Sequence, residues 1–268
     1  MIDGKYFVID AHCHIYPEKI AAKAAQSTGN FYGEIPYADG TTDFLLKEGR
    51  SVGIDRFVVQ SVATAPKQVI SINEFIARSV AESNGLMVGL GTLHPDSEDM
   101  EGDVRHLKEL GLRGVKLHPD IQDFKVDDPK CLKICEICQR EALPILMHTG
   151  DNRYDNSNPN RVLPILKAYP HLTLIGAHFG GWSVWQQAGQ SLAGMPNLYV
   201  DCCSSMQYIS PEETVELIRL YGADRVLFGT DYPLWSPAKE IENFMALKLT
   251  DEERRLILSE NAKRVFGI

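Results

Sequence analysis

Residues 143–148 read LPILMH, and residues 172–178 read LTLIGAH. Both are short apolar runs that end in a histidine. Most such runs are apolar at successive positions and rich in β-branched residues, which is typical of parallel strands buried on both faces. The sequence therefore predicts eight strands, at 6–11, 56–62, 86–93, 113–118, 143–148, 172–178, 197–202 and 225–230.

Amphipathic segments with helical periodicity separate these strands. Eight strand–helix units in series predict an α/β fold with a parallel sheet and right-handed connections, and eight is the number that closes a (β/α)8 TIM barrel. A doubly wound open sheet is the alternative, but no GxGxxG turn follows the first strand, as its dinucleotide-binding form requires. We expect one domain over residues 1–268, with helices at 41–52, 67–83, 98–110, 129–142, 160–169, 181–193, 211–221, 237–247 and 250–265.

Two long loops, 26–40 after the first strand and 151–159 after the fifth, are expected to lie over the carboxyl-terminal face of the barrel. Catalytic residues of TIM barrels come from the strand ends and loops on that face.

The composition argues against several classes of protein. The formal net charge is -9, which disfavours a general affinity for nucleic acid or an anionic membrane. The N-terminal residues lack the pattern of a signal peptide, and no apolar run reaches the roughly 18 residues of a membrane span. The six cysteines show no small-domain disulfide pattern. We therefore expect a cytoplasmic protein that acts on a small molecule.

Five metal-binding residue types stand at predicted strand ends: His12, His14, His148, His178 and Asp231. Alternate residues of a strand share a face, so His12 and His14 point the same way, about 6–7 Å apart. Each residue alone is more often structural, as a hydrogen-bonded histidine or a helix-capping aspartate. In a barrel, however, all five would converge on one rim, which favours a shared metal site.

The chain resembles the amidohydrolase superfamily, in the branch of short TIM-barrel metal-dependent hydrolases called amidohydrolase-2. The resemblance runs nearly end to end, and the ordered set HxH, H, H, D is its specific signal. The segments that carry it are DAHCH (10–14), GVKLHP (114–119), ILMHTG (145–150), GAHFGGW (176–182), NLYVDCCS (197–204), LFGTDYP (227–233) and SENAKRVFGI (259–268).

The resemblance implies a role for each of the five residues. His12, His14, His148 and Asp231 would ligate one divalent ion, and Asp231 would also take a proton from bound water. His178 would hold that water or polarise the substrate. Zinc is the expected ion, because histidine-rich sites with an open position suit it.

Lys116 on the fourth strand leaves the number of ions open. In binuclear relatives a carboxylated lysine there bridges two metals, and a second metal is expected only if Lys116 is so modified. A buried ion pair of Lys116 with Asp10 or Asp201 is the structural alternative. We favour one ion. Asp201 is expected to orient a metal-ligating side chain by a hydrogen bond, without binding the ion itself.

Four residues are candidates for substrate binding: Lys116, His118, Arg153 and Trp182. Arg153 can grip a carboxylate with two hydrogen bonds, although a solvated loop arginine is the plainer reading. Trp182 follows two glycines that permit close backbone approach, and packing against a helix would explain it equally well.

Three functions fit this pattern. The first is a hydrolase that activates water to cleave an amide, ester or lactone. The second is a lyase, a decarboxylase or hydratase of a small unsaturated or aromatic acid, because relatives in this branch include both. The third is a non-catalytic metal-binding barrel, which retention of the complete ligand set disfavours. We place hydrolysis first, and a homodimer is the default expectation for assembly.

Overall fold

A computed structural model describes residues 1–2 and 4–268. Its strands pair in parallel, in two runs ordered β1-β2-β3 and β4-β5-β6-β7-β8-β9. Their bounds are β1 Ile9–His14, β2 Arg56–Gln60, β3 Met87–Gly89, β4 Gly91–Thr92, β5 Val115–Leu117, β6 Ile145–Met147, β7 Leu174–Gly176, β8 Leu198–Asp201 and β9 Val226–Leu227.

The two runs form one barrel. β3 and β4 are the halves of a single strand at Leu90, whose amide donates to Val59 O at 2.9 Å, while the Gly91 amide donates to Gly114 O at 2.9 Å. At the other seam the Ala11 amide donates to Phe228 O at 2.9 Å. The predicted (β/α)8 TIM barrel is confirmed, with all eight predicted strands present.

The helices are α1 Ala21–Tyr32, α2 Thr42–Ser51, α3 Val69–Glu82, α4 Met100–Glu109, α5 Pro119–Gln122, α6 Pro129–Arg140, α7 Pro159–Ala168, α8 Trp185–Leu192, α9 Pro211–Tyr221, α10 Pro237–Met245, α11 Asp251–Arg255 and α12 Asn261–Phe266. The prediction of a loop over 26–40 is wrong for its first part, because α1 continues to Tyr32 and ends at Gly33 in the left-handed conformation (φ 75°). The last predicted helix is divided by a π-helical segment at Leu256–Glu260.

Two apolar clusters account for the buried core. One lies between the barrel and its surrounding helices. The other fills the lumen with Ile9, Val58, Leu146 and Ile175, and Phe266 of α12 packs into it. Since Ile9 begins its strand, α12 covers the amino-terminal end of the barrel. The carboxyl ends of the strands are left for a site.

Glu240 on α10 is a fully buried carboxyl group. Gln207 Nε2 donates to its Oε1, and Oε2 has no hydrogen-bond partner in the described part of the chain. Burial raises the pKa of Glu240 well above the ordinary value, and the charges of Asp10 and Asp231 raise it further. The folded protein therefore favours the protonated form.

Glu240→Gln is expected to stabilise the fold at neutral and alkaline pH. Since the pKa of Glu240 is higher in the folded state, its contribution is complete below its ordinary value of 4.5 and is lost as pH rises toward the folded pKa. Glutamine stays neutral, so the melting temperature should match wild type near pH 4 and exceed it near pH 8 by at least about 2 °C. Calorimetry checks this, with exposed Glu242→Gln as control; equal shifts for both variants would contradict it.

Candidate metal centre

The five predicted residues all lie at the carboxyl ends of their strands. Around His12 Nε2, the structure places His14 Nε2 at 3.2 Å and Asp231 Oδ1 at 3.4 Å, with 3.6 Å between the latter two. His148 Nδ1 lies 3.1 Å from His178 Nε2, and the ring of His178 stacks on that of His12 at 5.5 Å between centroids. The expected convergence is therefore present, with His148 joined to His12 through His178.

Backbone carbonyls and a carboxylate fix which ring nitrogens carry hydrogen. His12 Nδ1 donates to Asp201 Oδ2 at 2.8 Å, so Asp201 orients His12 as predicted. His178 Nδ1 faces Cys203 O at 3.0 Å, and His148 Nε2 faces Gly150 O at 3.1 Å. A carbonyl only accepts, so both of these nitrogens carry the hydrogen in a neutral ring. His12 Nε2, His148 Nδ1 and His178 Nε2 therefore present lone pairs.

These lone pairs fit a divalent cation. Ligand atoms 2.0–2.1 Å from a tetrahedral ion lie about 3.3–3.4 Å from one another, close to the separations among His12, His14 and Asp231. Nδ1 of His148 and Nε2 of His178 also face each other, two acceptors at 3.1 Å. Two facing lone pairs repel unless a cation or a proton lies between them, so the donor set suits a metal ion.

Burial keeps the rings of His14, His148 and His178 neutral. It lowers the pKa of His14 and of His148 well below the ordinary value, and lowers that of His178 as well. Burial raises the pKa of Asp231, but the positive charge that His12, His178 and His14 carry when protonated, together with the hydrogen bond from Ser204, lowers it by more, so the carboxyl stays ionised. Neutral imidazoles with an ionised carboxylate are the protonation states that metal binding needs.

The backbone at two of these residues is strained. His178 has a φ of 59° and Asp231 a φ of 56°, in the left-handed region that non-glycine residues seldom adopt. The His178 amide donates to Asp201 Oδ1 at 2.8 Å, and the Asp231 amide donates to His12 O at 2.9 Å. These bonds to neighbouring strands hold both side chains toward the barrel axis.

Lys116 is buried in the same cluster. Its Nζ lies 3.1 Å from His12 Nε2, and burial lowers its pKa. The alternative of an ion pair is wrong, because no carboxylate of the described residues lies within 4.0 Å of Nζ. Asp10 instead binds Thr230, accepting from its hydroxyl at 2.6 Å and its amide at 2.9 Å. Lys116 thus faces the candidate site.

A cavity of about 670 Å³ opens above these side chains. The two predicted ligand histidines of β1, together with Lys116, His118, His148, His178 and Asp231, lie among its lining residues. Its outer walls are largely apolar and come from Ile20, just before α1, from Ala24 and Phe31 of α1, and from Ile72 and Phe75 of α3. The volume is in the range that holds a small organic ligand.

Residues 9–268 match the amidohydrolase family. The chain belongs to this family. A curated 2-amino-3-carboxymuconate-6-semialdehyde decarboxylase from Dictyostelium discoideum is 23% identical to this amidohydrolase, over 99% of this chain and 86% of that protein.

Solved structures agree with the fold. An uncharacterised TIM-barrel protein from Bordetella bronchiseptica superposes with a TM-score of 0.82 at 20% identity, covering 97% of this chain and 98% of that one. A dihydroxybenzoic acid decarboxylase from a Polaromonas species, with bound manganese and the inhibitor 2-nitroresorcinol, gives 0.72 at 16% identity, covering 98% and 97%. None of the described helices of this amidohydrolase has the length and apolar character needed to cross a bilayer.

Arg153 and Trp182, predicted to bind substrate, are not among the residues that line the cavity of this amidohydrolase. Two nitrogens of Arg153 bind the buried Asp151, Nε at 3.0 Å and Nη2 at 2.7 Å, and Nη1 donates to Phe31 O at 2.7 Å. Trp182 packs edge-on against Tyr32 at 5.1 Å. The guanidinium is therefore already paired within the protein, and both side chains support α1.

Sequence reasoning missed two residues at the site. Tyr32 of α1 lines the cavity and contacts His118, and Cys203 Sγ lies 3.3 Å from His12 Nδ1. Burial raises the pKa of Cys203 well above the ordinary value, so it stays a thiol. The segment NLYVDCCS contained a signal for Cys203, since the residue follows a predicted strand end. Tyr32 had no such signal, because it falls in the segment interpreted as a loop.

Proposed function

We propose that this amidohydrolase is a metal-dependent decarboxylase of a small unsaturated or aromatic carboxylic acid. One observation carries the choice: a curated relative that aligns with 99% of the chain is a decarboxylase. The Polaromonas protein, a decarboxylase of an aromatic acid, supports it through the shared fold. Hydrolysis, which the sequence alone placed first, has support at the level of the fold from a putative 2-pyrone-4,6-dicarboxylic acid hydrolase of Pseudomonas putida, with a TM-score of 0.68 at 20% identity over 97% of each chain.

The cavity suits the loss of carbon dioxide. Its apolar walls from α1 and α3 exclude water from an acid that enters, while the polar side chains of Lys116, His118 and His178 line the floor. A carboxylate loses hydration in such a site, and its departure as neutral carbon dioxide relieves that cost. The charge left behind is then stabilised by the fixed polar groups of the floor.

His12, His14, His148 and Asp231 would hold one divalent ion. When bound, the ion supplies a Lewis acid that polarises oxygen atoms of the substrate or of a water molecule. Zinc is the expected ion by ligand type; the Polaromonas relative contains manganese. A second ion would require carboxylation of Lys116. We propose one ion because the unmodified Lys116 Nζ lies only 3.1 Å from His12 Nε2, a proposed ligand nitrogen.

The remaining steps belong to the protein's own groups. In decarboxylation the carbon–carboxylate bond breaks, its electron pair stays on the substrate carbon, and that carbon takes up one proton. Asp231, ionised in the resting site, can accept a proton from a water molecule, which leaves as hydroxide, and deliver it to this carbon. His178 Nε2 presents a lone pair, so it can accept a hydrogen bond from a hydroxyl group of the substrate or from water.

A panel of acids and esters tests the proposal. Metal-loaded protein is expected to release carbon dioxide from at least one hydroxybenzoic or carboxymuconic acid, with kcat/KM at least about 10⁴ M⁻¹s⁻¹ for the preferred acid. Mass spectrometry of products and trapped carbon dioxide provide the measurement. Cleavage of lactones or esters without carbon dioxide release from any acid would establish a hydrolase instead and defeat the proposal.

A further inference from the structure

Tyr32 stands at the end of α1, directly above the histidines, and the mechanism above does not use it. Its Oη lies 2.7 Å from His118 Nε2 and 3.4 Å from each ring nitrogen of His148. The side chain lines the cavity. Which way its hydroxyl hydrogen points decides what it can do.

The backbone settles the direction of the Tyr32–His118 bond. His118 caps the amino terminus of α5, where its Nδ1 accepts the amide hydrogen of Ile121 at 3.3 Å. A ring nitrogen that accepts carries no hydrogen, so Nε2 must carry it. His118 therefore donates to Tyr32 Oη, and the hydroxyl hydrogen of Tyr32 is left for another acceptor.

His148 offers no acceptor once it holds a metal ion. Its Nε2 donates to Gly150 O at 3.1 Å, and its Nδ1 is the nitrogen whose lone pair faces the proposed centre. His118 and His148 are the hydrogen-bond partners of Tyr32 Oη in the described part of the protein. The hydroxyl hydrogen is thus free to point into the cavity.

We propose that Tyr32 is a catalytic residue that donates its hydroxyl hydrogen to a carboxylate oxygen of the bound acid. This rests on the proposed metal-dependent decarboxylation and names a substrate contact within the same site. An anionic oxygen is the strongest acceptor available to a buried phenol. The bond holds the carboxylate over the histidines while its carbon–carbon bond breaks.

Arg153 is the positioning residue for this hydroxyl. Its guanidinium lies 5.4 Å from the centre of the Tyr32 ring and 4.9 Å from that of Phe31, and it also holds the Phe31 carbonyl. Trp182 contacts the Tyr32 ring from another side. Asp151 fixes the guanidinium in turn. The phenol is therefore held in place before a ligand arrives, as a preorganised donor requires.

Tyr32→Phe is the test, with Tyr154→Phe as the matched control. Tyr154 stacks on Phe31 at 5.7 Å in the same cluster, but it is 43% exposed and does not line the cavity. Loss of a hydrogen bond to a charged group should lower kcat/KM by about 10- to 100-fold in Tyr32→Phe. Metal content and melting temperature should be unchanged, and Tyr154→Phe should stay within about twofold of wild type.

A binding measurement separates this inference from the proposed reaction. Calorimetric titration of the metal-loaded proteins with 2-nitroresorcinol, whose nitro group has the shape of a carboxylate, needs no turnover. The nitro group is uncharged, so Tyr32→Phe should weaken binding by about 2- to 10-fold, and Tyr154→Phe should not.

If wild type binds the nitro compound but decarboxylates no acid, the proposed reaction fails while the loss of binding in Tyr32→Phe still supports the contact. Equal binding by wild type and Tyr32→Phe, or equal turnover, would overturn the role of Tyr32. Failure of wild type to bind the compound and to decarboxylate any acid would overturn both proposals.

Discussion

Asp231→Asn is expected to lower kcat by about 10²- to 10⁴-fold while most of the metal remains bound. Asparagine keeps an oxygen in the position of Oδ1, which lies 3.4 Å from His12 Nε2 and 3.6 Å from His14 Nε2. It cannot take up and deliver a proton at the pH of the assay. The substitution therefore removes proton transfer while it leaves an oxygen atom in place to bind the metal ion.

The measurement pairs steady-state turnover with elemental analysis of the same preparation. Asp224→Asn, at an exposed carboxylate just before β9, is the matched control and should leave turnover within about twofold. Unchanged turnover in Asp231→Asn would refute its role in proton transfer. Complete loss of metal would instead show that the charge of Asp231 is needed for binding.

Removal of the ion by a chelator is expected to lower turnover by at least about 10³-fold. Without the ion, the four ligand residues, His12, His14, His148 and Asp231, have no Lewis acid to hold against the substrate. One equivalent of zinc or manganese per chain should restore the rate. Protein treated with the same chelator already saturated with calcium is the control for damage.

Retention of the full rate by protein shown to be metal-free would contradict this expectation. A requirement for two equivalents per chain would instead favour a binuclear centre and carboxylation of Lys116. The two results differ in titration shape, because the rate should stop rising at one equivalent if the centre holds a single ion.

The barrel was predictable because its signal is local. Each apolar run, such as the one ending in His148, is short and bounded by a helical pattern, and eight of them in series specify closure. The residues at the strand ends followed from the same logic, since parallel strands bring their carboxyl ends to one rim. This is why the sequence alone predicts that His12, His178 and Asp231 lie near one another.

The contribution of α1 was not predictable from the same signals. The sequence analysis predicts a loop over 26–40, yet Gly29 lies inside the helix, where a Cβ would meet Glu34 O at 2.5 Å, and Gly33 ends the helix. The close approach that Gly29 permits is to Glu34 and Pro36, in the chain that folds back just after the helix. Sequence periodicity carries no information about this contact. The sequence therefore predicted neither α1 nor a role for Tyr32, which lies in it.

The role of Arg153 was missed for a related reason. A loop arginine that only faces solvent and one that binds its neighbours are identical in sequence, and only the three-dimensional neighbours distinguish them. Asp151 lies two residues before Arg153 in the sequence, and a carboxylate at that spacing can bind the guanidinium. This spacing is the one local feature that is consistent with the observed pair. The ring orientations of His148 and His178 likewise depend on carbonyls that only the folded backbone brings into place.

A crystal structure of metal-reconstituted protein, with anomalous data collected at the absorption edge of the added ion, examines the four-residue ligand set itself. We expect a single anomalous peak per chain, bonded to nitrogens of His12, His14 and His148 and to a carboxylate oxygen of Asp231. A map with no peak at this position, or with His148 outside bonding distance of the ion, would contradict the account.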